Sequence, residues 1–381
     1  MKPLLSFLFT FFVLINGIIS QQTINGVLQH EGLTREYILY IPASYNAEES
    51  TPLLFSFHGY TSNAQTNLYY TNFKSIADTA GFILIHPQGS LLNGITHWNV
   101  GGWTIGSTVD DVSFVSELMD TISKAYNIDS DRMYSTGMSN GGYMSFLLAC
   151  KLSDRIAAIA SVTGSMTPQS YNTCQPSHPT PIMQIHGTSD GTVPYNGNFL
   201  WTKSIDDVIE YWVEYNNTSS EPIIIEIPDI NTSDGSTVEH YIYGDGDNST
   251  AVEHFKVIGG DHDWPGVWGN MDIDASKEVW NFLSKYDING LIESQPNAVT
   301  DNNNSFYDQV SIFPNPATTT IKVSNNINKN IDYQIYTPQG QMIKSGTLDS
   351  NNREIDITNL KPNLYFFNVG NKTFKIIKVN Y

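Results

Sequence analysis

The 381-residue chain is poor in basic charge, holds only two cysteines and has a single long apolar run. Its 19 Lys and Arg stand against 38 Asp and Glu, a formal charge of −19. Binding a nucleic acid requires clustered cations that displace counterions, and no such cluster exists, so nucleic acid is excluded as a partner. An acidic surface instead implies solubility and little affinity for anionic polymers. Two cysteines, Cys150 and Cys174, are too few for a thiolate metal site, and no metal or other cofactor is expected.

The one apolar run covers residues 4–19 and follows Lys2. Small residues, Gly17 and Ser20, stand near its end, and the polar pair Gln21-Gln22 comes next. This is the pattern of a signal peptide, 1–20, cut near Ser20. A membrane anchor is the competing reading, since about 20 apolar residues span a bilayer, but the run is slightly short. No cysteine lies near the cut, which argues against a lipid anchor, and no later segment is apolar enough for stable membrane insertion. The mature protein is therefore expected to be secreted, outside the cell or at its surface. In an oxidising compartment Cys150 and Cys174 suit a disulfide, with two separate buried thiols as the alternative. Closing that loop of about 24 residues contributes about 3 kcal/mol in the chain-entropy description.

Hydrophobic residues make up 40% of the chain and aromatics 12%, enough for a packed enzyme-sized core. Between Arg35 and Tyr286 short β-branched or aromatic runs alternate with helical stretches. The strand candidates are 37–41, 53–57, 82–86, 133–136, 157–162, 182–186 and 255–258; the helix candidates are 65–79, 111–126, 141–152, 206–215 and 275–286. Such alternation predicts an α/β domain, a mostly parallel sheet covered by helices on both faces, over residues 21–286. A long loop, 89–108, and a small strand pair, 223–243, interrupt the pattern. Residues 287–308 are polar and Asn-rich and read as a linker. From 309 to 381 short strands alternate with turns and no helix is evident, which predicts a small C-terminal β-sandwich. Residues 301–381 hold eight basic and six acidic residues, so the acidity belongs to the first domain.

Two segments read G-x-S-x-G: GMSNG at 137–141 and GTSDG at 187–191. That pattern suits a sharp strand-to-helix bend which exposes a serine hydroxyl, the turn of an α/β-hydrolase nucleophile. The first follows a strand candidate and opens into a run that is apolar nearly all round, as a helix buried behind a sheet should be. The second leads into TVPYNG, where Pro194 and Gly197 forbid an immediate helix. Ser139 is therefore the nucleophile candidate and Ser189 a loop residue. In this fold the acid and then the base follow the serine along the chain. Asp190 lies in the loop just past the strand segment PIMQIHG and is the acid candidate, although Asp before Gly is also common turn chemistry. Asp206 and Asp207 lie in a helical stretch and read as solvated.

The histidines downstream are His178, His186, His240, His254 and His262. His186 ends a strand, while His240 and His254 lie in strand-like runs, where a satisfied structural role is usual. His178 precedes the acid. His262 sits in the loop IGGDHDWPG between the last sheet strand and the final helix, and is the base candidate. The oxyanion donors are expected to be the Asn140 N–H and one from the loop beginning His58-Gly59-Tyr60-Thr61, with Tyr60 the best candidate. His58 equally reads as a cap of its strand. Trp98, Trp103 and Trp264 are candidates for stacking on substrate, with core packing the alternative.

With PLLFSFHGY, FILIHPQG, HWN, VDDVSFV, GMSNGGYMSFLLACKLSDRIAAIASVTG, HGTSDGTVPYNG and GGDHDWPG in place, residues 35–286 resemble the polyhydroxybutyrate depolymerase and feruloyl esterase-like family. The resemblance implies an extracellular serine esterase of the α/β-hydrolase fold, with Ser139, Asp190 and His262 acting through an acyl-enzyme. Cys150 and Cys174 fall where that family often carries a cysteine pair. The implied substrates are polymer-linked esters: feruloyl or acetyl esters of plant polysaccharide, or polyhydroxybutyrate. The loop 89–108 departs from the family pattern and is expected to line the pocket. SIFPNPATTTIKV, YQIYTPQGQMIKSG and IDITNLKPNLYFFNVGNKTFKIIKVNY resemble the C-terminal sorting domain of type IX secretion cargo, which implies the secretion machinery as a partner and removal of the tail. Asn363-Leu364 stands where that domain usually has Gly before its Tyr strand. The other readings are a peptidase of the same fold, a non-catalytic polysaccharide-binding protein and, for the tail, a permanent carbohydrate-binding module.

Overall fold

In a computed structural model of the protein the alternating runs become one wide sheet and a separate small β unit. The structure describes residues 21–292 and, with short gaps, 311–379. The chain divides into two units, 1–293 and 294–381. The expected signal peptide, 1–20, lies outside the described residues.

The first unit begins with β1 (Gln22–His30), β2 (Leu33–Ile41), β3 (Thr51–Phe57), α1 (Ala64–Thr71), α2 (Phe73–Ala80), β4 (Ile83–Pro87), β5 (Ser90–Leu92) and β6 (Ile95–His97). Then come α3 (Asp111–Ala125), β7 (Ile128–Met138), α4 (Asn140–Lys151), β8 (Ala158–Val162), α5 (Pro168–Thr173), β9 (Ile182–Gly187) and α6 (Ile205–Tyr215). It ends with β10 (Ile223–Ile227), β11 (Thr237–Tyr243), β12 (Val252–Ile258), α7 (Ala275–Leu283), β13 (Tyr286–Asp287) and β14 (Gly290–Leu291).

Ten strands form one sheet in the order β1-β2-β4-β3-β7-β8-β9-β12-β11-β10. The six central strands, β4 to β12, are parallel, and an antiparallel pair extends each edge. Side chains alternate across the sheet. Leu53, Phe55 and Phe57 pack with α3, α4 and α6, whereas Leu54 packs on the other face with α1, α2 and α7. Every residue of β3 is buried, as a strand covered on both faces requires.

Several boundaries differ from the sequence reading. The expected helix 65–79 is two helices, because Asn72 adopts a left-handed conformation (φ 47°) that asparagine tolerates. The final helix stops at Leu283, and Tyr286 instead starts the β13–β14 hairpin. Residues 287–292 are therefore not linker. Ile288 N–H donates to the Asp131 carbonyl at 2.9 Å, which ties this hairpin to β7 of the first unit. The remainder of the expected linker, 293–308, falls outside the described residues. The strand pair expected in 223–243 is β10 and β11, which extend the sheet beyond β12.

Cys150, near the end of α4, and Cys174, just after α5, form a disulfide with Cα atoms 4.8 Å apart. It clips the α5 segment to the helix that follows Ser139.

The second unit contains β15 (Ser311–Phe313), β16 (Thr320–Ser324), β17 (Ile331–Tyr336), β18 (Met342–Leu348), β19 (Glu354–Asp356), β20 (Asn363–Val369) and β21 (Lys372–Lys378). They make two antiparallel sheets, β15-β16-β19 and β18-β17-β20-β21, around a core that includes Ile321, Ile335, Ile355, Phe367 and Ile376. This is the expected small sandwich.

Candidate active site

All the segments singled out for chemistry leave the carboxyl ends of parallel strands: 58–61 after β3, Ser139 after β7, Asp190 after β9 and His262 after β12. In open α/β sheets that edge is where binding crevices form.

Ser139 joins β7 directly to α4 with φ 55° and ψ −118°, a strained conformation for a residue with a side chain. Its N–H is held by the Val162 carbonyl at 2.8 Å, and its own carbonyl accepts from Tyr143 N–H at 3.0 Å. The bend depends on close backbone approach. A Cβ at Gly141 would collide with the Phe57 carbonyl, and one at Gly137 with the Gly141 backbone. Helix α4 is buried along nearly its whole length, in agreement with its apolar sequence. By contrast, Ser189 lies in the loop after β9, its N–H donating to the Gly260 carbonyl at 2.9 Å.

Asp190 is buried. Its Oδ1 accepts from the backbone N–H groups of Thr192 and Val193 at 2.8 and 2.7 Å. Its Oδ2 accepts from His262 Nδ1 at 2.8 Å and lies 3.3 Å from His186 Nε2. Burial alone would raise the pKa of this carboxyl. The bonds from His186 and His262 outweigh burial and hold it well below the usual carboxylate range. Asp190 is thus an anion at neutral pH. With Nδ1–H of His262 engaged by the carboxylate, Nε2 carries the lone pair of the neutral ring. Asp261 ties the two loops together, its Oδ1 accepting from Gly191 N–H at 3.1 Å and His262 N–H at 2.8 Å.

The other histidines are committed elsewhere. His240 stacks on Phe255 and bonds to Glu253 at 2.8 Å. His254 bridges the Gln184 carbonyl and the Tyr195 hydroxyl, and burial lowers its pKa to about 3. His178 bonds to the Pro179 carbonyl at 2.7 Å. His58 is buried, with Nε2 accepting from Gly89 N–H at 2.9 Å and Nδ1–H donating to the Gly59 carbonyl at 2.8 Å. Burial lowers its pKa to about 4, so it is a neutral structural brace of the 58–61 loop.

Asn140 is the first residue of α4, where backbone N–H groups lack partners within the helix. Its buried side chain grips the backbone of Trp98 at both ends: Oδ1 accepts from the Trp98 N–H at 2.7 Å and Nδ2 donates to the Trp98 carbonyl at 3.1 Å. Trp98 Nε1 in turn donates to the His58 carbonyl at 2.9 Å. The two expected oxyanion segments are therefore cross-braced through Trp98. In the 58–61 loop, Thr61 N–H is used by the Thr96 carbonyl and Ser62 N–H by the Gly59 carbonyl. Of the three donors at 60–62, the Tyr60 N–H is the uncommitted one among the described residues.

These contacts correct the sequence reading of the tryptophans. Trp98 and Trp264 are fully buried and cannot stack on substrate. Trp264 packs against Tyr70 and Phe73, and its Nε1 donates to Ser276 Oγ at 3.0 Å. Trp103 does face a cavity of about 630 Å³ that Ser139 also lines, edge-on between Tyr60 and Tyr143 with ring centroids 5.7 Å from each. Ile105, Val193, Leu200 and Trp201 complete its apolar wall, and Ile105 and Leu200 are 86% and 72% exposed at its mouth. The expectation that loop 89–108 lines the pocket holds for Gly102, Trp103 and Ile105. Leu200 and Trp201 were missed. The signal available for them was an apolar triplet, Phe199-Leu200-Trp201, in a turn-rich loop where nothing local buries it. No cluster of three or more His, Cys, Asp or Glu suited to a metal ion occurs among the described residues.

Known proteins resemble both parts of the chain. Residues 35–177 match the family described as Esterase PHB depolymerase, and residues 311–379 match the Secretion system C-terminal sorting domain. A bifunctional acetylxylan esterase/xylanase of Neocallimastix patriciarum is 26% identical over 276 residues, 72% of this chain and 37% of that protein. Probable feruloyl esterase C of Aspergillus clavatus is 30% identical over 174 residues, 45% of this chain and 60% of that protein. Feruloyl esterase D of Neurospora crassa is 26% identical over 268 residues, 67% of this chain and 83% of that protein. The chain thus spans 37% of the first of these relatives and 60% of the second. Among solved structures, an acetyl xylan esterase from Aspergillus awamori superposes with a TM-score of 0.50 at 16% identity, covering 70% of this chain and 99% of that one, and shares the fold. The first unit is related to carboxylic-ester hydrolases, and the tail is similar to a secretion sorting domain.

Proposed function

We propose that this relative of the polyhydroxybutyrate depolymerase esterases is a secreted serine carboxylic-ester hydrolase that cleaves polymer-linked esters. Ser139 Oγ attacks the acyl carbon while His262 Nε2 takes its proton, and Asp190 orients and stabilises the imidazolium. The Asn140 and Tyr60 N–H groups hold the oxyanion. Collapse of the tetrahedral intermediate expels the alcohol, protonated by His262, and water then releases the acid from the acyl-enzyme.

The observation that carries this reading is the 2.8 Å bond between His262 Nδ1 and a buried, ionised Asp190, which leaves Nε2 as the basic nitrogen. The left-handed turn at Ser139, beside a cavity, adds to it. The apolar, aromatic wall of that cavity suits the acyl part of a feruloyl or hydroxybutyrate ester and admits acetyl esters. Names of the relatives point to feruloyl esters and to acetyl esters of xylan.

The test is purified enzyme against methyl ferulate, acetylated xylan and hydroxybutyrate oligomers, ranked by kcat/KM. Ser139→Ala is expected to lower kcat by about 10,000-fold or more on the best of them. Undiminished ester hydrolysis by that variant would remove Ser139 from the mechanism. Amide cleavage outrunning ester cleavage would favour a peptidase.

Export is assigned to the amino-terminal run 1–20 and to the sorting domain, which the secretion machinery recognises and then removes. Mass spectrometry of the secreted protein is expected to show loss of both. Retention of the full tail on the mature protein would support a permanent binding module instead.

A further inference from the structure

The carboxylate that holds His262 is held in turn by a second histidine. His186, at the end of β9, is fully buried, and its Nε2 lies 2.9 Å from the Val193 carbonyl and 3.3 Å from Asp190 Oδ2. Its proton is placed by a chain of fixed groups. Gln184 Nε2 donates to the Gly164 carbonyl at 3.0 Å, which settles the orientation of the amide. The same Nε2 faces His186 Nδ1 at 2.9 Å, so Nδ1 must accept and Nε2 must carry the hydrogen. That N–H is shared between the Val193 carbonyl and the carboxylate. Val193 N–H is also a donor to Asp190 Oδ1, so ring, loop and carboxylate form one closed set of bonds.

We infer that His186 is a positioning residue for the proposed hydrolysis: through its Nε2–H it fixes Asp190 Oδ2 toward His262 and limits the basicity of the carboxylate. The inference deepens the ester-hydrolase reading and rests on it. A carboxylate with one donor fewer is more basic and grips the proton of the base more tightly. The loop 190–193 would also lose the bond that ends it. Groups of charge or titratable character facing Asp190 are His186 beside it, His262, Asp261 and Asp263 from the loop after β12, and Tyr143 from α4. Among these, His186 and His262 are the side chains in bonding range of Oδ2.

The experiment compares His186→Leu, His186→Gln and Ser139→Ala with the native protein on a soluble aryl ester. For His186→Leu, kcat is expected to fall about 10- to 100-fold with KM nearly unchanged, the loss of one charge-assisted bond. The acid limb of its kcat/KM profile is expected to move to higher pH. His186→Gln, which keeps an amide donor, is expected to recover part of both. Native kcat and an unmoved acid limb in folded His186→Leu, with Ser139→Ala inactive, would overturn the inference and leave the hydrolase reading standing. Full activity in Ser139→Ala would overturn both. Should His186→Leu not fold, Gln184→Met poses the same question, because it frees the imidazole to carry its proton on Nδ1. A loss in kcat with the same pH displacement supports the role, and a native profile overturns it.

Discussion

The two G-x-S-x-G segments, 137–141 and 187–191, occupy equivalent places, each at the carboxyl end of a central parallel strand. In the first, the serine lies at the bend and the glycines let the Phe57 backbone and α4 close on it. In the second, the serine is a loop residue bonded to Gly260, and the functional candidate is its neighbour Asp190. What separates them is the sequence that follows. Residues 140–151 can bury a helix immediately, whereas Val193-Pro194 and the turn closed by Gly197 N–H to the Pro194 carbonyl at 2.8 Å send the chain outward before α6 begins. A short pattern therefore acquires chemistry from the element it launches. In one case the turn presents a hydroxyl; in the other it presents a carboxylate with four backbone or ring donors around it.

Two substitutions pairs would sharpen or break that contrast. The larger effect is expected within the second segment itself. Asp190→Asn should lower kcat by about 1,000- to 10,000-fold, because the amide favours the wrong tautomer of His262, while neighbouring Ser189→Ala should alter it less than about twofold. Steady-state kinetics on one ester decides this, and comparable losses at both positions would erase the distinction. A smaller effect, on stability, is expected from matched glycines. Gly141→Ala forces a methyl against the Phe57 carbonyl and should destabilise the first unit by about 3 kcal/mol. Gly191→Ala meets nothing within 4 Å and should stay within about 0.5 kcal/mol. All seven tryptophans lie between Trp98 and Trp280, so tryptophan fluorescence during denaturation follows the first unit alone. Equal shifts for the two glycines would show that the elbow tolerates a side chain.

The alternation of strands and helices was legible where strands of the parallel centre, such as β3, β4 and β8, are short buried runs. Helix α4 and strand β3 are clear examples, buried over nearly their whole length. Strand β1 was not legible. It lies at the sheet edge and leaves most of its residues partly or wholly exposed, so its sequence carries no apolar run. The break at Asn72 was also hidden, since a left-handed asparagine inside an otherwise helical pattern looks like any polar surface position.

For the site, the sequence brought Ser139, Asp190 and His262 forward through loop position and chain order, and the bonding of Asp190 to His262 agrees with that order. It ranked the aromatics badly. Trp98 lies in the long Gly- and Asn-rich loop just as Trp103 does, yet one braces the two expected oxyanion segments and the other faces the cavity. His186 was set aside as a structural histidine, which its buried bonds to Gln184 and Val193 justify, but the same ring nitrogen also reaches Asp190.

Local backbone chemistry was thus determined by sequence alone: which glycines permit a bend, which stretch continues as a helix and where a proline prevents one. Those properties depend on neighbours a few positions away. Which tryptophan meets the cavity, which histidines touch the acid and that residues 287–292 belong to the first unit were decided only by the tertiary structure, because burial and hydrogen-bond sharing arise between segments tens to hundreds of residues apart.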